Sequence, residues 1–239
     1  MLEFDWVDAF TDRAFGGNGC AVVHHGAHLP VETCTAYVRE TSLVECTFTG
    51  PSDIADVKVR YFLASREIPF AGHPTLATVA AMRHRGMIGD GALTLETGAG
   101  IVPVTVEGSR VTMTQIAPQF GATVPKDVLA RVGSISAEDI IAPPQIVSTG
   151  LPFCITLVRS RAVLHSLRID PTAFQLYAEA YADGATDLME PYWATLDAPE
   201  GADSFARLLL LPPSPPEDPF TGSATGAMAS YLWAHGLID

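Results

Sequence analysis

Two glycine-tipped segments carry the residues best suited to chemistry. EIPFAGHPTLATVAAMRHRGMI runs from Glu67 to Ile88, and EDPFTGSATGAMASYLWAHGLI runs from Glu217 to Ile238, aligned without a gap at an offset of 150 residues. Glu67, Pro69, Phe70, Gly72, Thr75, Ala77, Gly86 and Ile88 recur as Glu217, Pro219, Phe220, Gly222, Thr225, Ala227, Gly236 and Ile238. Each segment reads as a turn opening into an apolar helix. The N-terminus of such a helix offers unpaired N–H groups and the positive end of the helix dipole, which suits a carboxylate. Gly72, Gly222 and Ser223 are therefore candidate anion donors. The tips have diverged from His73 to Ser223 and from Ile68 to Asp218, so the two half-sites carry different jobs. An imidazole and a carboxylate can pair to fix a tautomer, which makes His73 and Asp218 candidate partners. The plainer alternative is that these residues cap helices and that Asp218-Pro219 forms a turn.

A third candidate is Glu45 in LVECTFT. Alternation places Val44, Cys46 and Phe48 on one face of a strand and Leu43, Glu45 and Thr47 on the other. Pattern alone favours an outward strand carboxylate. If that face lines a cleft, partial desolvation suits Glu45 to general acid–base work.

The elements that position these residues follow from period and punctuation. FDWVDAF and CAVVHH read as strands around the Gly16-Gly17-Asn18-Gly19 turn, and VETCTAYVRE as a helix with Val31, Cys34 and Val38 on one stripe. VECTFT and DVKVRYFL are strands, followed by a helix over 74–86 with Pro74 at its first position and His73 at or beside the N-cap. ALTLETG, GIVPVTVEG and RVTMTQIA are three further strands. IAPQFGATVP is turn-rich, which places a boundary near residue 117 and gives lobes 1–117 and 118–239. In the second lobe KDVLARVG and SAEDII read as helices, QIVSTG and LPFCITLV as strands, and PTAFQLYAEAYADG as a helix ending at Gly184. Strands follow around MEPYWATLD and SFARLLLL, then a second apolar helix over 223–236 with Ser223 as N-cap. Three strands follow the first repeat helix, whereas the sequence stops at Asp239 after the second. By the length of the first copy, about 25–30 residues of closing strand are expected to be missing.

Composition bounds the function classes. The 239 residues are 48% hydrophobic and 17% charged, as in a folded globular protein. A formal charge of −13 repels phosphate backbones, so nucleic acid is not an expected partner. No apolar run reaches membrane-span length, and MLEFDWVDAF lacks the basic start of a signal peptide, so a cytoplasmic protein without membrane contact is expected. Cys20, Cys34, Cys46 and Cys154 are widely spaced and read as buried thiols. His24, His25 and His28 in HHGAH read as a solvated loop, and no metal site is expected.

The set DAFTDRAFGGN (8–18), LVECTF (43–48), EIPFAGHPTLAT (67–78), VSTGLPF (147–153) and EDPFTGSATGA (217–227) resembles the phenazine-biosynthesis isomerase family PhzF. Its superfamily includes diaminopimelate epimerase and proline racemase. The resemblance covers nearly the whole chain. It implies an α+β protein of two pseudo-symmetric lobes, each a barrel-like, mostly antiparallel sheet wrapped around a central helix. It also implies that Glu45 is the general acid/base, His73 and Asp218 its polar partners, and Gly72, Gly222 and Ser223 the donors to a substrate carboxylate. The family reaction moves a proton and a double bond in a dihydro-hydroxyanthranilate without a cofactor, and family members are typically homodimers. Ala71 and Thr221 precede the tip glycines where the epimerase branch carries paired cysteines, so two-thiol inversion is not expected. Two departures stand out: Val44 replaces the usual small polar residue, and Gly17-Asn18-Gly19 replaces the usual G-N-P turn. The leading expectation is a cofactor-independent isomerase of a small cyclic or unsaturated carboxylate. The alternatives are a non-thiol epimerase or racemase of an amino or hydroxy acid, and a non-catalytic small-acid-binding protein.

Overall fold

The computed structural model of the chain describes residues 2–182 and 190–238. The expected helix end at Gly184, the start of the MEPYWATLD strand and the terminal Asp239 lie outside them. The chain divides into two compact units, Met1–Thr114 with Pro212–Pro215 and Gln115–Leu211 with Pro216–Asp239.

The first unit runs β1 (Phe4–Ala9), β2 (Asn18–Val23), α1 (Val31–Thr41), β3 (Glu45–Gly50), β4 (Val57–Leu63), β5 (Glu67–Ile68), α2 (Gly72–His84), β6 (Gly91–Thr97), β7 (Gly100–Glu107) and β8 (Arg110–Met113). Its sheet is ordered β1-β2-β3-β4-β6-β7-β8, with β5 paired to β4. The β2–β3 and β4–β6 pairs are parallel and the others antiparallel. Alternation along the strands sorts residues between two layers. Ala21, Val23, Cys46, Phe48 and Phe62 pack with Cys34 and Val38 of α1. Cys20 and Val22 point the other way, against Ala77 and Ala81 of α2. Helix α2 is buried at nine of its positions and packs on β1, β2, β3 and β8. Val31, expected on the buried stripe of α1, is 39% exposed, whereas Cys34 and Val38 are fully buried.

The second unit contains β9 (Gln119–Thr123), α3 (Lys126–Gly133), β10 (Gln145–Ser148), β11 (Pro152–Leu157), α4 (Arg161–Ser166), α5 (Pro171–Tyr181), β12 (Pro191–Thr195), β13 (Phe205–Leu209), β14 (Glu217–Asp218) and α6 (Gly222–Ala234). Its sheet is ordered β14-β13-β12-β11-β10-β9, with β11 and β12 parallel. Val147, Phe153, Ile155, Leu157, Tyr192 and Leu208 face α6. Cys154 and Trp193 face Leu129 of α3 and Phe174 and Tyr177 of α5. SAEDII makes only a single 3-10 turn, Ala137–Asp139, because Ile140 turns extended to bridge Val158. IAPQFGATVP, expected as turns, contains strand β9. Helix α6 is less enclosed than its all-apolar sequence implies, with Trp233 70% exposed.

His24 is not part of a solvated loop. It is buried, with Nε2 2.8 Å from Asp5 Oδ2, while His25 and His28 are exposed. Arg85 grips the same carboxylate through Nε at 2.6 Å and Nη2 at 3.0 Å. The Arg85 hydrogen bonds, reinforced by His24, lower the Asp5 carboxyl to about 2. A depressed carboxylate stabilises the fold above its unfolded value near about 4 and loses that contribution as pH falls through the folded value. Wild-type protein is therefore expected to lose more stability than Asp5→Asn between pH ~5 and pH ~2.5, read as the difference in urea midpoint.

Candidate active site

In the first unit the candidate residues are assembled on the sheet face that α2 covers. Asn18, Cys20 and Val22 of β2 share that face by alternation, as do Glu45 and Thr47 of β3. Thr47 Oγ1 meets Thr78 Oγ1 of α2 at 2.7 Å, so Glu45, two residues earlier, reaches the start of the same helix. Its Oε2 lies 3.3 Å from His73 Nδ1, with side-chain exposures of 14% for Glu45 and 3% for His73. The Asn18 carboxamide, 1% exposed, lies 3.2 Å from the same ring nitrogen. Nδ1 can donate to a Glu45 carboxylate or accept from a Glu45 carboxyl. The carboxamide of Asn18 offers either an oxygen or an N–H, so it accommodates both states. This arrangement can hold a proton at one carboxyl and tolerate its transfer.

Asn18 reaches His73 because the chain before it comes unusually close to β1. A Cβ on Gly17 would sit 2.0 Å from the Ala9 carbonyl oxygen. Gly17→Ala is expected to cost about 1–3 kcal/mol of stability by denaturant unfolding, since the obstruction is backbone and cannot swing aside. The expected accompanying change is a shift of the His73 ring resonances as Asn18 moves.

Helix α2 begins at Gly72, with Ala71 as N-cap and no side-chain cap. His73 and Pro74 are thus its second and third residues, rather than an N-cap and a first residue. Helix α6 likewise begins at Gly222, and its N-cap is Thr221, not Ser223. Ser223 lies inside the helix, and the Thr221 hydroxyl does not cap it because it donates to Asp218 Oδ2 in a short hydrogen bond beside the helix start. The tip amides of both helices accordingly lack a side-chain cap.

In the second unit the candidates Asp218 and Ser223 are buried, as is Thr221 between them. Asp218 enters from β14, paired with Leu208 of β13. A cavity of about 240 Å³ opens beside it, bounded in part by Tyr192, Phe205, Asp218, Phe220 and Thr225. Gln115 Nε2 donates to the Gly222 carbonyl at 3.3 Å, and Thr149 Oγ1 donates to that of Ser223 at 3.3 Å. The Gln115 side chain passes over Gly226, where a Cβ would lie 1.9 Å from its Oε1.

The structure brings Glu45 and His73 together in the first unit and sets Asp218 against Thr221, the residue before Gly222 and Ser223, in the second. Asn18, Gln115 and Thr149 were not singled out by sequence. Asn18 was visible as the one amide in a glycine turn, and Thr149 stood inside VSTGLPF, but Gln115 carried no signal. All four cysteines are buried and lie outside the tips. Burial pushes the thiols of Cys34 and Cys46 up to about 11 and Cys154 up to about 12. Among the described residues no cluster of three His, Cys, Asp or Glu is placed to hold a metal, and no helix is long and apolar enough to cross a membrane.

Comparison with known proteins bears on the family of the chain. Residues 7–239 match the PhzC-PhzF family, described as phenazine biosynthesis-like protein. The uncharacterized isomerase YfhB of Bacillus subtilis is 29% identical over 97% of this chain and 81% of its own length. The trans-2,3-dihydro-3-hydroxyanthranilate isomerase of Pseudomonas chlororaphis is 28% identical over 100% of this chain and 82% of its own. The solved structure of a predicted epimerase from Pseudomonas aeruginosa superposes with a TM-score of 0.83 at 30% identity, covering 100% of this chain and 83% of that one. The chain therefore belongs to the PhzC-PhzF family of phenazine biosynthesis-like proteins, and its activity class is isomerase.

Proposed function

We propose that the protein is a cofactor-independent isomerase of a small cyclic or unsaturated carboxylate, of the trans-2,3-dihydro-3-hydroxyanthranilate type. The observation that carries this reading is the Glu45–His73–Asn18 cluster: a half-buried carboxylate 3.3 Å from an imidazole nitrogen at the uncapped start of a buried helix. Glu45 takes a proton from one substrate carbon. The C–H electron pair forms a new C=C bond as the old one shifts, and the same carboxyl, whose acidic hydrogen exchanges with solvent before delivery, gives a proton to the far carbon. Composition and oxidation state are unchanged, so one carboxyl is sufficient. His73, held by Asn18, orients Glu45 and follows its protonation. The amides of Gly72, Gly222 and Ser223, with the Ser223 hydroxyl, bind the substrate carboxylate, and Asp218 is a polar partner to the substrate. In the architecture that goes with this reading, each sheet wraps the helix whose start carries these donors; the nine buried positions of α2 support that for the first unit.

The experiment is a turnover assay on trans-2,3-dihydro-3-hydroxyanthranilate with wild-type protein and Glu45→Gln. Isomerisation by the first and its loss in the second is the expected pair of results. Equal turnover by both would remove Glu45 from the mechanism.

A further inference from the structure

The start of each repeat helix is tied to its sheet by a relay of hydroxyls that the duplication alone does not explain. In α2, Thr75 Oγ1 donates to the Ala71 carbonyl at 2.7 Å, and the phenol of Tyr61 lies 2.7 Å from Thr75 Oγ1. A hydroxyl has one hydrogen, and that of Thr75 is committed, so Tyr61 is the donor. In α6, Thr225 Oγ1 donates to the Thr221 carbonyl at 2.9 Å, and Tyr192 Oη lies 3.0 Å from it. Both phenols are buried, and burial pushes both up, so both remain protonated donors. Each relay ends on the carbonyl immediately before a tip glycine.

The two tyrosines come from different strands. Arg60 of β4 grips Glu67 through Nε and Nη2 at 2.8 and 2.7 Å, and Arg207 of β13 grips Glu217 in the same way at 2.8 and 2.7 Å. These clamps align Arg60 with Arg207, so Leu208 stands where Tyr61 stands. Tyr192 is the cross-strand partner of Leu208, just as Thr47 is the cross-strand partner of Tyr61. The phenol has moved to the neighbouring strand while keeping its target. A contact that merely filled space would not retain the same threonine-to-carbonyl end point from a new origin.

We propose that Tyr61 and Tyr192 are positioning residues, acting through Thr75 and Thr225 to hold the helix tips that carry His73 and Ser223. This rests on the isomerase reading above. Because the first tip carries His73, the partner of Glu45, and the second supplies two of the three carboxylate donors, loss of the first latch weighs on chemistry and loss of the second on binding.

The test is steady-state kinetics on trans-2,3-dihydro-3-hydroxyanthranilate. Tyr61→Phe and Thr75→Val are expected to lower kcat about 10-fold with KM within about two-fold, since a misplaced base slows chemistry more than binding. Tyr192→Phe and Thr225→Val are expected to raise KM about 10-fold with kcat within about two-fold. Thr75→Ser and Thr225→Ser, which keep the hydroxyl, are expected to behave as wild type. Both latches moving the same parameter, or Ser variants as impaired as Val variants, would overturn the proposal. If wild-type protein does not turn this substrate over, the isomerase reading has failed instead. A second readout needs no substrate. The Thr225 amide donates to Thr221 O at 2.9 Å, and its hydrogen exchange is expected to quicken about 10-fold in Tyr192→Phe at unchanged global stability. Unaltered exchange contradicts the latch.

Discussion

Glu45→Gln is expected to lower turnover by a factor of about 10²–10⁴ while leaving the fold intact. The amide matches the carboxylate in volume, and residue 45 keeps its register opposite Leu63. Its side chain is neither deep in the core nor loose: at 14% exposure it reaches both His73 and solvent. A glutamine can still hydrogen-bond His73 Nδ1, so the ring stays placed. What it cannot do is accept a proton from carbon and return it. The expected result is therefore a fall in kcat with KM little changed, the signature of an interaction made in the transition state. Steady-state kinetics alongside far-UV circular dichroism reads both halves of that statement.

Trp193→Ala is expected to cost about 3–5 kcal/mol of stability, a large fraction of the roughly 5–15 kcal/mol an ordinary domain possesses. The indole is fully buried and packs among Leu129, Cys154, Phe174 and Tyr177. Its rim lies so close to the end of α3 that a Cβ on Gly133 would sit 2.7 Å from Cη2. Rigid helix and sheet on either side leave little room for collapse, which places the cost at the high end of large-to-small changes. Trp193→Phe is expected to cost less than half as much. Among the described residues the indole Nε1 has no hydrogen-bond partner, so removing it breaks no polar contact. Urea unfolding measures both variants.

The parts of the molecule that period and alternation describe were readable before any coordinates. FDWVDAF, DVKVRYFL and GIVPVTVEG carry strong two-residue patterns, and each forms its strand. The face assignment in LVECTFT also holds, with Cys46 and Phe48 toward α1 and Glu45 and Thr47 toward α2. Strand β9 was not readable, because all five of its residues are exposed and it contains a glycine; its existence depends on the edge of β10. Helix α4 spans six residues, too few for a hydrophobic period to emerge. Among the candidate site residues, the tip glycines stood out because the repeat points to them, whereas alternation gave Glu45 its face but favoured an outward carboxylate, since the cover of that face is set by the packing of α2. The helix starts were displaced by two residues in α2 and one in α6 because proline and serine gave familiar local signals. Both helices instead start at the tip glycine, and in the second a local hydrogen bond from Thr221 to Asp218, three residues earlier, occupies the hydroxyl of the N-cap residue. His24 was misjudged for a related reason: its partner Asp5 lies on a neighbouring strand, a pairing that sequence spacing does not express.

The account depends on a protonated Glu45 delivering hydrogen to substrate carbon. The most direct measurement is the isotope content of product formed from trans-2,3-dihydro-3-hydroxyanthranilate in D2O, by wild type and by Glu45→Gln. The account predicts deuterium at the carbon that gains hydrogen in the wild-type reaction, and no such product from the glutamine variant. Deuterated product accumulating at the same rate in both would contradict it.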